Sequence, residues 1–187
     1  MVRVNVFGLM SGFLMLYLVL LPEPWWVALG GSDGEAFHAY VSPFAFEVVL
    51  LGNPVDIPIV YWLTLASRLA FILAAVETIF ALIVVYEKTF KTFLSLRALS
   101  VSILFPILIA IGLAVAEETI GLSIPVYGEA LSTFNLPGQG YAMTVEMPIR
   151  TYFTTAYLLA LIAGVLSLIA RSFHEVLIKT EPSIGRV

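Results

Sequence analysis

Cysteine is absent from this chain of 187 residues, and charged residues are scarce. Without Cys there can be no disulfide bonds, thiolate metal ligands or thiol redox chemistry. Charged residues make up 12% of the sequence and hydrophobic residues 60%, whereas a soluble domain carries about 25% charged residues. So few charges cannot cover the surface of a water-soluble globule, and the composition therefore predicts a protein whose solvent is lipid.

Asparagine and glutamine are also rare. The sequence contains three Asn and one Gln, and both side chains are chemical liabilities at high temperature. Their scarcity indicates a thermophilic source, with chance in one short chain as the alternative.

Motifs of catalysis and ligand binding are missing as well. The sequence has no glycine-rich phosphate loop, HExxH zinc motif or serine nucleophile elbow. No acidic spacing resembles a calcium loop, and no basic patch suits nucleic acid. We therefore expect no catalytic site, no cofactor and no metal ion, and no nucleic-acid partner.

Four apolar runs are long enough to cross a bilayer as helices, which takes about 20 residues. They are Val4–Leu21, Ile57–Tyr86, Ala98–Ile120 and Ile149–Ala170. Helices are favoured over strands because the runs are continuous and an open sheet edge cannot lie in lipid. A signal peptide is the alternative for the first run, but that run is long and no small-residue cleavage site follows it.

The basic residues predict how these spans are oriented. Seven of the nine fall on one side of the spans, so both termini and the middle loop should face the cytoplasm. Loops 22–56 and 121–148 would then be extracellular, in a multi-pass protein of the cell membrane. The seven residues are Arg3, Lys88, Lys91, Arg97, Arg171, Lys179 and Arg186.

One phrase occurs twice, once in each outer loop. "GEAFHAYVSPF" begins at Gly34, and "GEALSTFNLPG" begins at Gly128. A second echo follows each, "VDIPI" from Val55 and "VEMPI" from Val145, where spans two and four were expected to begin. These echoes suggest a tandem duplication of a two-helix hairpin, and coincidence between two Gly- and Pro-bearing loops is the alternative.

The duplication predicts the architecture. The chain would be one membrane domain, residues 1–187, with repeat one at about 1–92 and repeat two at about 93–187. Each hairpin crosses the membrane twice, so the repeats would be related by a pseudo-two-fold axis along the membrane normal. We therefore expect an all-α integral membrane protein, a bundle of four transmembrane helices.

Each element of the echoes has an expected role. The Gly-Glu-Ala segments would form short interfacial helices. Asp56 and Glu146 would cap the N-termini of spans two and four, where a carboxylate meets the positive end of the helix dipole. Pro58 and Pro148 would occupy the first helical turn, which tolerates a missing N–H.

Four charged residues within the spans are candidate functional groups, because a charge at membrane depth is costly. Arg68 and Glu77 lie in span two, about half a turn apart around the helix, and Glu117 and Glu118 end span three. Arg68 is expected to pair with Glu117 or Glu118, either as a structural staple or in a substrate or proton pathway. Glu77 has no evident partner and is expected to be neutral, bonded to a neighbouring helix, another subunit, a quinone headgroup or a translocated proton.

The first outer loop offers candidate contacts for a partner protein. "PFAFEVVLLG", from Pro43, is an apolar run that lipid does not obviously cover. The partner-contact candidates are Trp25, Trp26, Phe44 and Phe46.

Two families resemble parts of this pattern. Four spans, cytoplasmic termini and a larger first outer loop resemble the claudin topology, although the Trp-Gly-Leu-Trp and Cys-Cys marks of claudins are missing. The stretch "AAVETIFALIVVYEKTF", from Ala74, resembles the four-helix DoxX/DoxD membrane proteins. That second resemblance implies a link to quinone-dependent oxidases.

Three functions are consistent with the sequence. The favoured one is a small, non-catalytic accessory or structural subunit of a multi-subunit membrane complex, such as a respiratory or other energy-transducing assembly. An ion or small-solute transporter or channel built as a homo-oligomer is the second, and a quinone-interacting oxidoreductase subunit is the third. The expected partners are the lipid bilayer and other integral membrane subunits.

Overall fold

A computed structural model describes residues 5–21, 23–31, 34, 36–83, 97–121, 123–137 and 142–178 of the chain. These residues form four helices and six strands. In chain order they are α1 (Val6–Leu20), β1 (Trp26–Gly30), β2 (Phe37–Val41), β3 (Phe46–Leu50), β4 (Asn53–Pro54), α2 (Pro58–Ile83), α3 (Arg97–Ile120), β5 (Gly128–Pro137), β6 (Ala142–Phe153) and α4 (Thr155–Ile178).

The predicted all-α, four-helix bundle is wrong, because the two long loops, between spans one and two and between spans three and four, fold into one sheet. The sheet has six strands in the order β4-β3-β2-β1-β6-β5, and every neighbouring pair is antiparallel. The "FHAYV" segment belongs to the first Gly-Glu-Ala segment, which was predicted to be an interfacial helix. It is strand β2, whose residues alternate between the two faces as a period of two requires.

The tandem hairpin with its pseudo-two-fold axis is also wrong. The first loop contributes four strands and the second only two, so the halves differ in secondary structure. "VEMPI" lies inside β6 instead of opening a helix, and α4 begins only at Thr155. Glu146 therefore lies opposite Thr133 and does not cap a helix, whereas Pro58 begins α2 as expected.

Strand β1 joins the two halves of the chain. Ala28 lies opposite Ala39 of β2 on one side and Thr151 of β6 on the other. These three residues are buried, and the same face of the sheet carries the buried Phe37 and Ile149. This inner face belongs to the same hydrophobic core as the buried residues of the helices.

Helix α1 packs between α2 and α4, and α3 packs on the other side of α4. Two buried polar side chains fix α1 to α4: Asn5 Nδ2 and Ser11 Oγ each donate to a main-chain carbonyl, of Ala170 and Ala163 respectively, at 2.8 Å. Such bonds between helices add to packing where lipid offers no hydrophobic driving force.

Glycine allows close approach at two helix contacts. Gly8 and Gly12 of α1 are both buried, and Gly12 lies against α2, where an added Cβ would be 2.7 Å from Ile79 Cγ1. At Gly164 of α4, an added Cβ would be 2.7 Å from Leu99 Cα of α3. Backbone cannot move aside as a flexible side chain can, so Gly164 sets the α3–α4 distance.

Replacing Gly164 with Ala is therefore expected to destabilise the protein by about 1–3 kcal/mol, the usual range for overpacking. The matched control is Gly112→Ala in α3, where nothing lies within 4 Å of the added Cβ. Thermal unfolding in detergent micelles should show a lower Tm for the first variant and an unchanged or higher Tm for the second, since Ala is the better helix former. Equal Tm values would contradict the close packing of α3 on α4.

Three helices are long and apolar enough to span a membrane. Their spans are Pro58–Phe80, Ala98–Thr119 and Thr155–Ser172, and α1 is a shorter apolar helix of 15 residues. Near the start of α2, Tyr61 and Trp62 are each 64% exposed, as expected of aromatic residues at a membrane interface. The chain thus has the features of a membrane-associated protein.

Candidate functional site

Three of the four helices meet the sheet through a cluster of aromatic side chains. Trp25, fully buried just before β1, makes edge contacts with Phe44 at 5.5 Å and with Phe105 of α3 at 5.3 Å between ring centroids. Phe44 in turn contacts Phe71 of α2 at 4.9 Å, and Tyr157 of α4 lies 6.2 Å from Trp25. The cluster therefore joins α2, α3 and α4 to the base of the sheet.

Contacts between α1 and α2 show where this cluster lies along the helices. Gly12 lies against Ala75 and Ile79, and the two helices run in opposite directions. At a rise of about 1.5 Å per residue, α1 ends near the level of Leu69. The N-terminal part of α2, from Pro58 to Leu69, continues beyond that level for about 17 Å.

Helices α3 and α4 are offset in the same way. Gly164 of α4 lies against Leu99 of α3, so the first residue of α4, Thr155, is near the level of Leu108. The C-terminal part of α3, from Leu108 to Ile120, continues beyond α4 for about 18 Å. The ends of α1 and α4 thus stop short of those of α2 and α3, and the aromatic base of the sheet lies at the level where they stop.

The residues predicted to contact a partner are mostly within this core. Trp25, Trp26 and Phe44 are at most 3% exposed, and Phe46 is half-buried in β3. Trp26 Nε1 donates to the carbonyl of Val126 at 2.8 Å, which joins the first loop to the second. The side chains of these tryptophans and of Phe44 are therefore used inside the chain and offer no surface to a partner.

Arg68 lies on α2 beside the aromatic cluster. Its Nε donates to the carbonyl of Phe44 at 2.7 Å, in the turn between β2 and β3. The side chain is exposed, and within the described part of the chain this is its only hydrogen bond and it has no ion pair. Arg68 therefore links α2 to the sheet through a carbonyl oxygen instead of a carboxylate.

The expected pairing of Arg68 with Glu117 or Glu118 is not found. Both glutamates are exposed near the end of α3, about 18 Å along the helix from Phe105. Arg68 is less than one turn from Phe71, and Phe71 and Phe105 belong to the same cluster. The two carboxylates therefore lie about 13 Å farther along the helices than Arg68.

Glu77 lies in the C-terminal third of α2, six residues before Ile83, and is exposed. By the same comparison with Gly12 it is level with the middle of α1, and it lies within the candidate span Pro58–Phe80, three residues before the end of that span. Among the residues that the structure describes, Glu77 has no hydrogen-bond or ion-pair partner. The structure does not bring Arg68 and Glu77 together, as expected from their positions on opposite sides of α2.

Sequence reasoning missed the polar residues that join the helices, Asn5 and Ser11. The available signal was a polar side chain inside an apolar run, which usually faces another helix. It also missed the aromatic partners Phe71 and Phe105, because aromatic residues in an apolar helix face lipid as often as protein and give no distinguishing signal.

The described residues contain no group of three or more His, Asp or Glu side chains placed to hold a metal ion. The exposed pair Arg150–Glu129, 3.6 Å apart on neighbouring strands, contributes little because water screens both groups. Glu77 and Arg68, by contrast, lie within a candidate membrane span and have no charged partner among the described residues.

Comparison of the chain with family models, with curated proteins and with solved structures gives no match.

Proposed function

We propose that this protein is a non-catalytic subunit of an assembly of integral membrane proteins, attached to its neighbour through the exposed side of α2 around Glu77. The observation that carries the proposal is the position of Glu77, exposed within the candidate span Pro58–Phe80 at the level of the middle of α1, without a partner in the described part of the chain. A charged side chain within a membrane span is costly. The side chain of glutamate is short, so we expect another polar group to meet it within the membrane.

The side chains around Glu77 suit a helix as that neighbour. Leu73, Val76 and Phe80 are 59%, 37% and 62% exposed, and with Glu77 they share one side of α2 at spacings of three and four residues. Such a stripe, apolar with one polar group, is typical of contacts between transmembrane helices. The neighbour is therefore expected to be a transmembrane helix with a basic or hydrogen-bonding side chain opposite Glu77.

Orientation is part of the proposal. Each helix joins the sheet at one end, by connections 21–25, 55–57, 121–127 and 154. Arg97 and Arg171 lie toward the opposite ends of α3 and α4, and the basic residues Lys88, Lys91, Lys179 and Arg186 lie outside the described residues. Their bias supports a protein of the cell membrane with cytoplasmic termini and an extracellular sheet.

Of the alternatives, the transporter draws the least support from the described geometry. Arg68, Glu77 and Glu117 are exposed and lie at different levels of α2 and α3, so they do not line one path. No contact in the described residues favours a quinone site. A second copy of this chain in place of a different subunit is an outcome that the following experiment would reveal.

Site-specific cross-linking in the native membrane would test the proposal. A photo-reactive amino acid at Val76 is expected to cross-link one integral membrane protein, whereas the same group at Ile111, 56% exposed on α3, should cross-link mainly lipid. Glu77→Leu is expected to reduce the Val76 product about fivefold, since a hydrogen bond contributes about 1 kcal/mol. Glu77→Gln should keep most of the cross-linked product formed from position 76.

The absence of natural cysteines supplies an independent control. A single cysteine in place of Val76 would form a disulfide dimer if the neighbour is a second copy of this chain. Two results would contradict docking through this side of α2. One is an equal yield of cross-linked product from Val76 and Ile111, and the other is an undiminished Val76 product in Glu77→Leu.

A further inference from the structure

We infer that Arg68 is a binding site for the phosphate group of a membrane lipid in the leaflet on the side of the sheet. The inference is independent of the docking proposed for Glu77, because the two residues lie on opposite sides of α2. It rests on the orientation of Arg68, its free donors and its depth.

The hydrogen bond to Phe44 holds the guanidinium in place. Nε of Arg68 donates to the Phe44 carbonyl at 2.7 Å, and Phe44 is 3% exposed and packed on Trp25 and Phe71. The acceptor is therefore part of a rigid core. A guanidinium fixed at Nε keeps a definite orientation, which reduces the entropy lost when a ligand binds.

Most of the hydrogen-bonding capacity of Arg68 remains unused. A guanidinium has five N–H donors, and within the described residues only Nε is engaged. The side chain is exposed and has no carboxylate partner there. A carbonyl oxygen leaves the positive charge uncompensated, so the four remaining N–H groups and the charge both favour an anion with two acceptor oxygens.

The depth of Arg68 identifies the anion. Arg68 is about 9 Å along α2 from Trp62, which is 64% exposed and forms an aromatic pair with Tyr61 at 5.6 Å. Side chains on a helix lean toward its N-terminus, so we expect the Arg68 side chain to lie on the side of its Cα that faces the level of Tyr61 and Trp62. The phosphates of a bilayer lie just beyond such an aromatic belt, within reach of an extended arginine.

The neighbouring side chains suit a lipid more than a soluble anion. Leu65, about one turn before Arg68 along α2, and Leu69, the next residue, are 37% and 55% exposed. They offer apolar surface to acyl chains next to the guanidinium. A lipid with a phosphate diester and two acyl chains would contact both the guanidinium and the apolar side chains, whereas inorganic phosphate would contact only the guanidinium.

Lipid titration of the purified full chain in a non-ionic detergent would test this inference. Phosphatidylglycerol is expected to raise the Tm of the wild-type protein, since a ligand that binds only the folded state stabilises it. Diacylglycerol, which lacks the phosphate, should leave Tm unchanged. In native mass spectrometry, Arg68→Gln is expected to bind phosphatidylglycerol about tenfold more weakly than wild type. Arg150→Gln is the control, at an arginine that is 70% exposed on the sheet, and it should bind the lipid as wild type does.

Arg68→Lys provides a variant that keeps the charge if Arg68→Gln does not fold. It should bind with intermediate affinity, because an ammonium cannot form the bidentate contact. Equal retention by wild type and both Arg68 variants would overturn the inference. So would a Tm rise with inorganic phosphate alone equal to that with the lipid, or a cross-link from position 68 to a protein carboxylate in place of lipid.

Discussion

Replacing Trp25 with alanine is expected to lower the free energy of unfolding by about 3–5 kcal/mol, the range for a buried aromatic residue. Trp25 is fully buried and contacts aromatic rings from the β2–β3 turn, α3 and α4. Its removal would leave a cavity where the sheet meets the helices. Thermal or denaturant unfolding in micelles, followed by near-ultraviolet circular dichroism, would measure the loss.

Trp62→Ala is the matched control, because it removes the same side chain from a position that is 64% exposed. Its effect on unfolding in detergent is expected to be within about 0.5 kcal/mol, as for most surface substitutions. A Trp25 variant no less stable than the Trp62 variant would show that the aromatic cluster does not hold the sheet to the helices.

The helices were the part of the fold that the sequence predicted best. The predicted span Ala98–Ile120 nearly coincides with α3, Arg97–Ile120, and Ile57–Tyr86 begins one residue before α2. Both runs are continuously apolar over at least the 20 or so residues that a membrane-spanning helix needs, so their composition identifies them as candidate spans. The fourth span was placed six residues too early because β6 is itself apolar and runs almost directly into α4.

The sheet could not be predicted in the same way. Strands β1, β2 and β3 have five residues each, too few for a clear periodic signal. The pairing of β1 with β6 joins residues more than one hundred positions apart, and no local pattern specifies such a contact. The echo of Gly-Glu-Ala in the two loops reflects two strand entries with similar turn chemistry, with positive φ at both Gly34 and Gly128.

The candidate site was partly predictable. A charge within an apolar run can be recognised from sequence, and Arg68 and Glu77 were selected on that ground. The acceptor of Arg68 is a main-chain carbonyl, at Phe44, and every residue has one. The choice of that acceptor depends on the β2–β3 turn reaching α2, which only the three-dimensional fold determines.

The second large loss of stability is expected in β1, the strand that joins the two halves of the chain. Replacing Ala28 with proline is expected to cost about 3 kcal/mol or more, because proline removes a ladder hydrogen bond and its ring clashes with a neighbouring strand. Ala28 has strands on both sides, β2 and β6. A defect there would separate the first loop from the second, which no change on an edge strand can do.

A disulfide between β1 and β6 would report that separation directly. Leu29 and Arg150 are register partners, and facing residues of antiparallel strands lie about 4.5–5.5 Å apart between Cα atoms, which a disulfide can bridge. In the otherwise cysteine-free chain, the pair Leu29→Cys and Arg150→Cys is expected to oxidise readily, and addition of Ala28→Pro should abolish the bond. Thr133→Pro on the edge strand β5 should leave the bond intact, because β1 and β6 stay paired without that residue. Slow oxidation of the pair in the parent chain would mean that the two loops do not share a sheet.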